Sequence, residues 1–256
     1  MRISTAPLHS LIKPFQDSAV SLLYPTSCYV CGASLDSLAD GVACHKCWQI
    51  AEDTRLNFDS CTKCDLLLPR SQLRPQIRSC GACTDFAFTA ARACGSYRGA
   101  FRESVLRLKV QPVIPARLRQ LLHETFWLLP DAQEIEAIIP VPLHSARQRQ
   151  RKYNQAEIIA QTLSRTTKLP VHISALIRNK PTEQHRGGMD AQARQQSLRG
   201  AFQVRAPRLI ENRSLVLVDD VMTSGATAHE IAQTLHEQGA SAVSVITIAR
   251  ASHIFS

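Results

Sequence analysis

Residues 214–227, S-L-V-L-V-D-D-V-M-T-S-G-A-T, constrain the fold more than any other stretch of the chain. Leu215 to Val218 is an apolar run of the length and type of a strand buried on both faces, the habit of parallel sheets. Ala228, Ile231, Ala232 and Leu235 then recur at helical spacing. A strand's carboxyl end therefore opens through a short turn into a helix amino end, where α/β proteins take phosphorylated ligands. Free N–H groups and the helix dipole favour an anion there. Gly225 lets the backbone approach closely, and Thr223, Ser224 and Thr227 add hydroxyl donors. Asp219 and Asp220 would repel a bare phosphate. They read instead as acceptors for a pair of sugar hydroxyls and as holders of Mg²⁺, directly or through water. Phosphate, diol and metal together describe a phosphorylated ribose. The plainer alternative is a solvated Asp pair before an ordinary helix cap, and it requires the whole ordered string to arise by accident.

The α/β rhythm continues on both sides. Strands are expected over 135–141, 171–177 and 243–249, and helices over 155–166 and 228–238, the latter closed by Gly239. Upstream, 96–110 reads as a turn and an amphipathic helix with Val105 and Leu108 inward. A second helix is expected over 116–129, and a short one over 15–23. Strands alternating with helices imply a mainly parallel sheet with right-handed crossovers. The polar segment 178–200 reads as a mobile loop with a short helix. A chain of 256 residues accommodates one such domain of about 150 residues and a smaller module.

That module is written in cysteine. Eight of the nine cysteines form C-x-x-C pairs: Cys28/Cys31, Cys44/Cys47, Cys61/Cys64 and Cys80/Cys83. Each pair chelates from one tight knuckle, and two knuckles complete a tetrahedral thiolate site for structural Zn²⁺, two ions in all. Sequential pairing gives two consecutive ribbons; a cross-braced arrangement, first knuckle with third, is the alternative. A segment this small gains its fold from the metal. Disulfides suit secreted scaffolds, and the first 27 residues carry no signal-like apolar core, so the expected compartment is the cytoplasm. No run approaches the ~18 apolar residues of a membrane span. Cys94 reads as a buried strand residue, and His123, His144, His185, His229 and His236 show no ligand-like spacing.

The formal net charge of +9 suits an anionic ligand, a phosphorylated ribose or nucleic acid. More telling is where it collects. Residues 138–156 run from a strand through P-V-P into a basic loop bearing Arg147, Arg149, Arg151 and Lys152, then a helix start at Asn154. A phosphoribosyl donor needs cations for its pyrophosphate at a different strand end from its 5′-phosphate. A solvated basic face or a nucleic-acid patch would look the same.

Residues 214–227 resemble the PRPP (phosphoribosyl pyrophosphate) loop of type I phosphoribosyltransferases. The resemblance implies that Asp219 and Asp220 hold the ribose hydroxyls, with Val221, Met222 and Ala226 as the apolar members of the motif, and that Thr223 to Thr227 wrap the 5′-phosphate. With the cysteine knuckles, Y-R-G followed by L-K (Tyr97 to Lys109), P-V-P-L before R-x-R-x-R-x-Y-N-Q-A, R-x-K-x-T-x-x-Q and R-x-x-S-L-x-G-A-F, nearly the whole chain resembles the ComF (competence protein F) family. The resemblance implies an α/β fold, a type I phosphoribosyltransferase-like parallel sheet flanked by helices and preceded by a small zinc-ribbon module. The corresponding units are a lead-in (1–27), a double zinc ribbon (28–83) and the phosphoribosyltransferase-like domain (95–256). It also implies PRPP with Mg²⁺ as ligand, and single-stranded DNA and competence-machinery proteins as partners. Lys109, Arg147, Arg149, Arg151, Lys152, Asn154, Gln155, Arg178 and Arg194 fall on the motifs facing pyrophosphate or DNA; Thr182 and Gln184 lie on the later polar one. Three positions depart from the family pattern: Lys152 where Gly is usual, Tyr153 for Phe, and Ser197 for Asn.

Overall fold

The computed structural model describes residues 27–35, 41–68, 79–144, 152–180 and 198–252. The described elements run α1 (His45–Leu56), β1 (Asp59–Ser60), β2 (Leu67–Leu68), β3 (Ala91–Ser96), α2 (Gly99–Leu108), α3 (Ala116–Phe126), β4 (Ala137–Pro140), α4 (Gln155–Thr167), β5 (Leu176–Arg178), β6 (Phe202–Val204), β7 (Ser214–Met222), α5 (Ala226–Glu237) and β8 (Ala242–Arg250). The central sheet is β3-β8-β7-β4, parallel throughout. Its middle strands are the apolar runs 215–218 and 243–249, which alternate between two cores. Val216, Val218, Ile246 and Ile248 face one side with Phe101, Leu122 and Ile159. Leu215, Leu217, Val243 and Val245 face the other with Ile231 and Leu235. Each such fully buried side chain contributes about 1.5–3 kcal/mol.

The cysteine segment divides between these cores. Cys28, Cys44, Cys47 and Trp48 join the first, and Trp48 stacks edge-on against Phe101 with centroids 5.5 Å apart. Cys61, Cys64 and Cys83 join the second. The third knuckle also covers the edge of the sheet. Ala91 N–H donates to the Lys63 carbonyl at 2.7 Å, and Ala93 N–H to Asp65 Oδ2 at 2.8 Å. Edge donors are thus satisfied rather than left to recruit another chain.

Two expectations are corrected. The apolar run 171–177 is not a strand of the sheet. Val171 makes one isolated bridge to Ile138, and the chain then turns at Ile173. Leu176–Arg178 instead pairs antiparallel with Phe202–Val204 as a separate hairpin. The fourth strand is β3, of which the sequence marked only Cys94 as a strand residue, because Ala, Gly and Ser replace the usual β-branched residues. The expected 15–23 helix and most of the 178–200 segment lie outside the described residues.

Candidate functional site

The strand carrying the two acids is longer than its apolar run. Asp219 pairs in register with Thr247, Val221 with Ala249 and Met222 with Arg250, so the acids belong to the last turn of pleat before the loop. The chain then leaves through Thr223 and Ser224. Gly225 takes φ 85 as the N-cap of α5, a left-handed conformation that only glycine adopts without cost. Ser224 Oγ accepts from Ala226 N–H at 3.4 Å. Thr223 to Thr227 enclose a small cavity of about 30 Å³ against Val141, Leu217 and Asp219. Asp219 and Thr227 also line a larger adjoining cleft of about 240 Å³.

That cleft assembles residues from several further parts of the chain. Lys109 comes from the end of α2, Asn154 and Gln155 from the start of α4, Arg178 from β5, and Asp219 and Asp220 from β7. Asn154 caps α4: its Oδ1 accepts from Ala156 N–H at 3.1 Å while its amide donates to the Val141 carbonyl at 3.0 Å. One side chain therefore fixes both the helix start and the exit of β4. Tyr153, the departure from Phe, uses its added hydroxyl to donate to the Leu108 carbonyl at 2.8 Å, beside Lys109. Lys152 sits at φ 66, which accounts physically for the glycine usual at that position. Arg178 lies over the Phe202 ring, 5.2 Å from its centroid. Arg147, Arg149, Arg151, Thr182, Gln184, Arg194 and Ser197 lie outside the described residues.

Burial pushes the Asp219 carboxyl well above the usual carboxylate range, and the charge of Asp220 adds to it. The Asp220 N–H, 2.8 Å from Asp219 Oδ1, and the Arg178 charge oppose the shift. The two adjacent carboxylates thus share a buried strand end at which ionising both is disfavoured.

The knuckles pair sequentially. In Cys28/Cys31/Cys44/Cys47 and in Cys61/Cys64/Cys80/Cys83 all four sulfurs lie within 4.8 Å of one another. Bonds of about 2.3 Å from a tetrahedral Zn²⁺ set sulfurs about 3.8 Å apart; Cys31–Cys44 is 3.8 Å, and Cys61–Cys83 and Cys64–Cys80 are 3.5 Å. Backbone N–H groups turn onto the first sulfur of each set, Cys44 onto Cys28 and Cys80 onto Cys61, both at 3.3 Å. The Cys61 thiol is lowered to about 3, chiefly by the hydrogen bond from Cys64, against the cost of burial. Both groups are compatible with structural zinc.

Three residues that sequence reasoning missed join the second group of four cysteines to the loop. Arg250 ends β8 and sends its guanidinium to carbonyls on both sides. Phe86 packs against Gly225. His229, 7 % exposed, accepts from Ala87 N–H at Nδ1 over 2.9 Å; burial lowers its pKa, consistent with a neutral acceptor. No local motif signals these roles.

A parallel sheet with this acid-and-hydroxyl loop at one strand end defines a protein of the phosphoribosyltransferase type, here bearing two groups of four cysteines. Residues 149–253 match the phosphoribosyl transferase domain model. Competence protein F of Haemophilus influenzae is 41 % identical over 117 residues, 45 % of this chain and about half (51 %) of that protein. DNA utilization protein YhgH of Escherichia coli K12 is 30 % identical over 247 residues, 90 % of this chain and 99 % of its own length. Among solved structures, glutamine PRPP amidotransferase from B. subtilis superposes with a TM-score of 0.33 at 22 % identity, covering 54 % of this chain and 29 % of that one. The chain belongs to the ComF family of phosphoribosyltransferase-like competence proteins. Among the described residues no helix is long and apolar enough to cross a membrane.

Proposed function

We propose that this chain binds PRPP with Mg²⁺ and serves the uptake or processing of DNA in the cytoplasm, with two structural zinc ions. The observation that carries this reading is the convergence, in one cleft, of Asp219, Asp220 and Thr227 with Lys109 and Arg178. In this reading Thr223 to Thr227 hold the 5′-phosphate by backbone N–H and hydroxyl donors. Asp219 and Asp220 accept from the ribose hydroxyls, and Lys109 and Arg178 face the pyrophosphate; the family motif would add Lys152 and, outside the described residues, Arg147, Arg149, Arg151 and Arg194 as further cations. Asn154 and Gln155 shape that wall. Bound Mg²⁺ would neutralise charge on the departing pyrophosphate. The chain's own contribution to a displacement at the anomeric carbon is electrostatic: cations on the leaving group and carboxylates beside an oxocarbenium-like ribose. The relatives' names, with competence and DNA utilization in them, support the DNA setting and single-stranded DNA and competence proteins as partners.

Calorimetry tests the ligand. PRPP with Mg²⁺ is expected to bind the wild type, and Asp219→Ala/Asp220→Ala to weaken it at least about tenfold, the loss of more than one charge-assisted hydrogen bond. Absence of wild-type binding overturns the reading. Pyrophosphate release from PRPP against a panel of bases, amines and single-stranded DNA then separates a transferase from an adaptor that senses PRPP.

A further inference from the structure

Arg250 is 5 % exposed and stands between the second metal group and the phosphate loop. Its Nε donates to the Cys64 carbonyl at 3.0 Å, and its Nη2 lies 4.0 Å from Cys64 Sγ. Its Nη1 donates to the carbonyls of Met222 and Ala251, each at 3.0 Å, and to that of Thr223. The planar guanidinium fork holds such donors in fixed directions, which a flexible ammonium does not. Holding the Met222 and Thr223 carbonyls on Arg250 matters for an anion site. A peptide that flipped there would aim a carbonyl oxygen, not an N–H, at the phosphate.

The same metal group braces the loop from a second side. Phe86 follows Cys83 by three residues, and its ring lies 2.8 Å from where a Cβ on Gly225 would be. Ala87 N–H, next along, donates to His229 in the first turn of α5. A divalent ion held there by four thiolates would leave the group with a net double negative charge, which would serve as counter-charge to the buried Arg250 cation. The first metal group has a different neighbourhood: it packs in the opposite core, with Trp48 against Phe101.

We propose that Arg250 is a positioning residue for the phosphate loop, through which metal binding at Cys61/Cys64/Cys80/Cys83 and phosphate binding at Thr223–Thr227 strengthen each other, while the Cys28/Cys31/Cys44/Cys47 group stands apart from this coupling. The ligand half of this statement rests on the phosphoribosyl reading; the mechanical half does not. Coupling is reciprocal, so each ligand changes the affinity of the other by the same factor, commonly about 5- to 150-fold.

Hydrogen–deuterium exchange of a peptide spanning 222–227 tests the mechanical half without any ligand. Cys80→Ser and Cys31→Ser each remove one ion, verified by metal analysis, and Arg250→Met retains both. Loop exchange is expected to accelerate at least about tenfold in Cys80→Ser and Arg250→Met, with the β7 core strand and the Cys31→Ser loop unchanged. Equal acceleration in both cysteine variants, or a fully protected loop in Arg250→Met, overturns the proposal. The wild type supplies a measurement that does not depend on a variant folding. Chelator competition, with alkylation mapping to show which cysteines are freed, is run with and without ribose 5-phosphate. Release from the second group alone should slow about tenfold. If ribose 5-phosphate binds and neither ion is retained longer, the coupling is wrong. If neither ribose 5-phosphate nor PRPP binds, the phosphoribosyl reading and the ligand half fall, and the exchange comparison still decides the role of Arg250.

Discussion

Burial and the neighbouring charge of Asp220 hold the Asp219 carboxyl above the usual carboxylate range, so ionising it in the ligand-free protein costs more than in water. The sign of the consequence is set by linkage. Above the unfolded value of about 3.9 the native state keeps a proton that the unfolded chain has released, so this residue's contribution to stability falls as pH rises towards the raised value. Ligand works the other way. Accepting hydroxyls and holding a cation require the carboxylate, so PRPP with Mg²⁺ should bind more tightly as pH rises through the same window, with net proton release. Calorimetry in two buffers of different ionisation heat should register that release in the wild type and lose it in Asp219→Asn. pH-independent binding without proton release would refute the assignment. The placement of Asp219, Asp220 and the hydroxyls at a strand end was legible because acids, turn and helix start adjoin in sequence. Arg250 was not, because its partner Cys64 is 186 positions away and a lone arginine ending an apolar strand carries no sign of what it will meet.

At the scale of elements, the start of α4 does more than begin a helix. Asn154, 3 % exposed, accepts from Ala156 N–H and donates to the Val141 carbonyl, so it fastens the helix to the strand whose exit forms one wall of the cleft. Replacing it by Ala removes a cap, which costs about 0.5–2 kcal/mol, and leaves the Val141 carbonyl short of a donor, about 1–3 kcal/mol more. Asn154→Asp keeps the cap oxygen and loses only the donor. Denaturant melts should therefore order the variants wild type, Asp, Ala, with the Ala form about 1.5–5 kcal/mol below wild type and unchanged slope. An Ala variant no less stable than Asp would show that the cap contributes nothing. The sequence signalled this helix within a residue, because a cap and a helical apolar spacing coincide at 154–163. It failed at 171–177, where hydrophobic content was read as a strand of the sheet. The chain turns at Ile173, which is 42 % exposed, to bury Leu176 beside Phe202. Such a turn is a tertiary choice that pattern alone does not encode. The edge strand β3 failed in the opposite direction: its small residues carry little strand propensity, and its place comes from pairing with β8.

The described residues are tied together by the two groups of four cysteines, one in each core. The sequence showed eight cysteines in four knuckles but left their pairing open, since both connectivities satisfy the same spacing. It also gave no sign that the two groups would face opposite sides of one sheet. That arrangement makes the cysteine segment part of the core of the chain's other half. A fragment beginning at residue 84 would lose Trp48, 2 % exposed against Phe101, a loss of the order of 3–5 kcal/mol by comparison with large aromatic truncations. It would also uncover the β3 edge, where Ala91 and Ala93 N–H groups now bond to Lys63 and Asp65, and it would strip Arg250 of its Cys64 partner. Set against a total stability of about 5–15 kcal/mol for a domain, these losses are enough to unfold it. The fragment is expected to aggregate or to show far-ultraviolet dichroism without fixed near-ultraviolet signals, whereas the full chain with its metal unfolds cooperatively. A monomeric fragment that melts cooperatively near the midpoint of the full chain would instead establish residues 84–256 as an independent domain, with the metal segment an attachment to it.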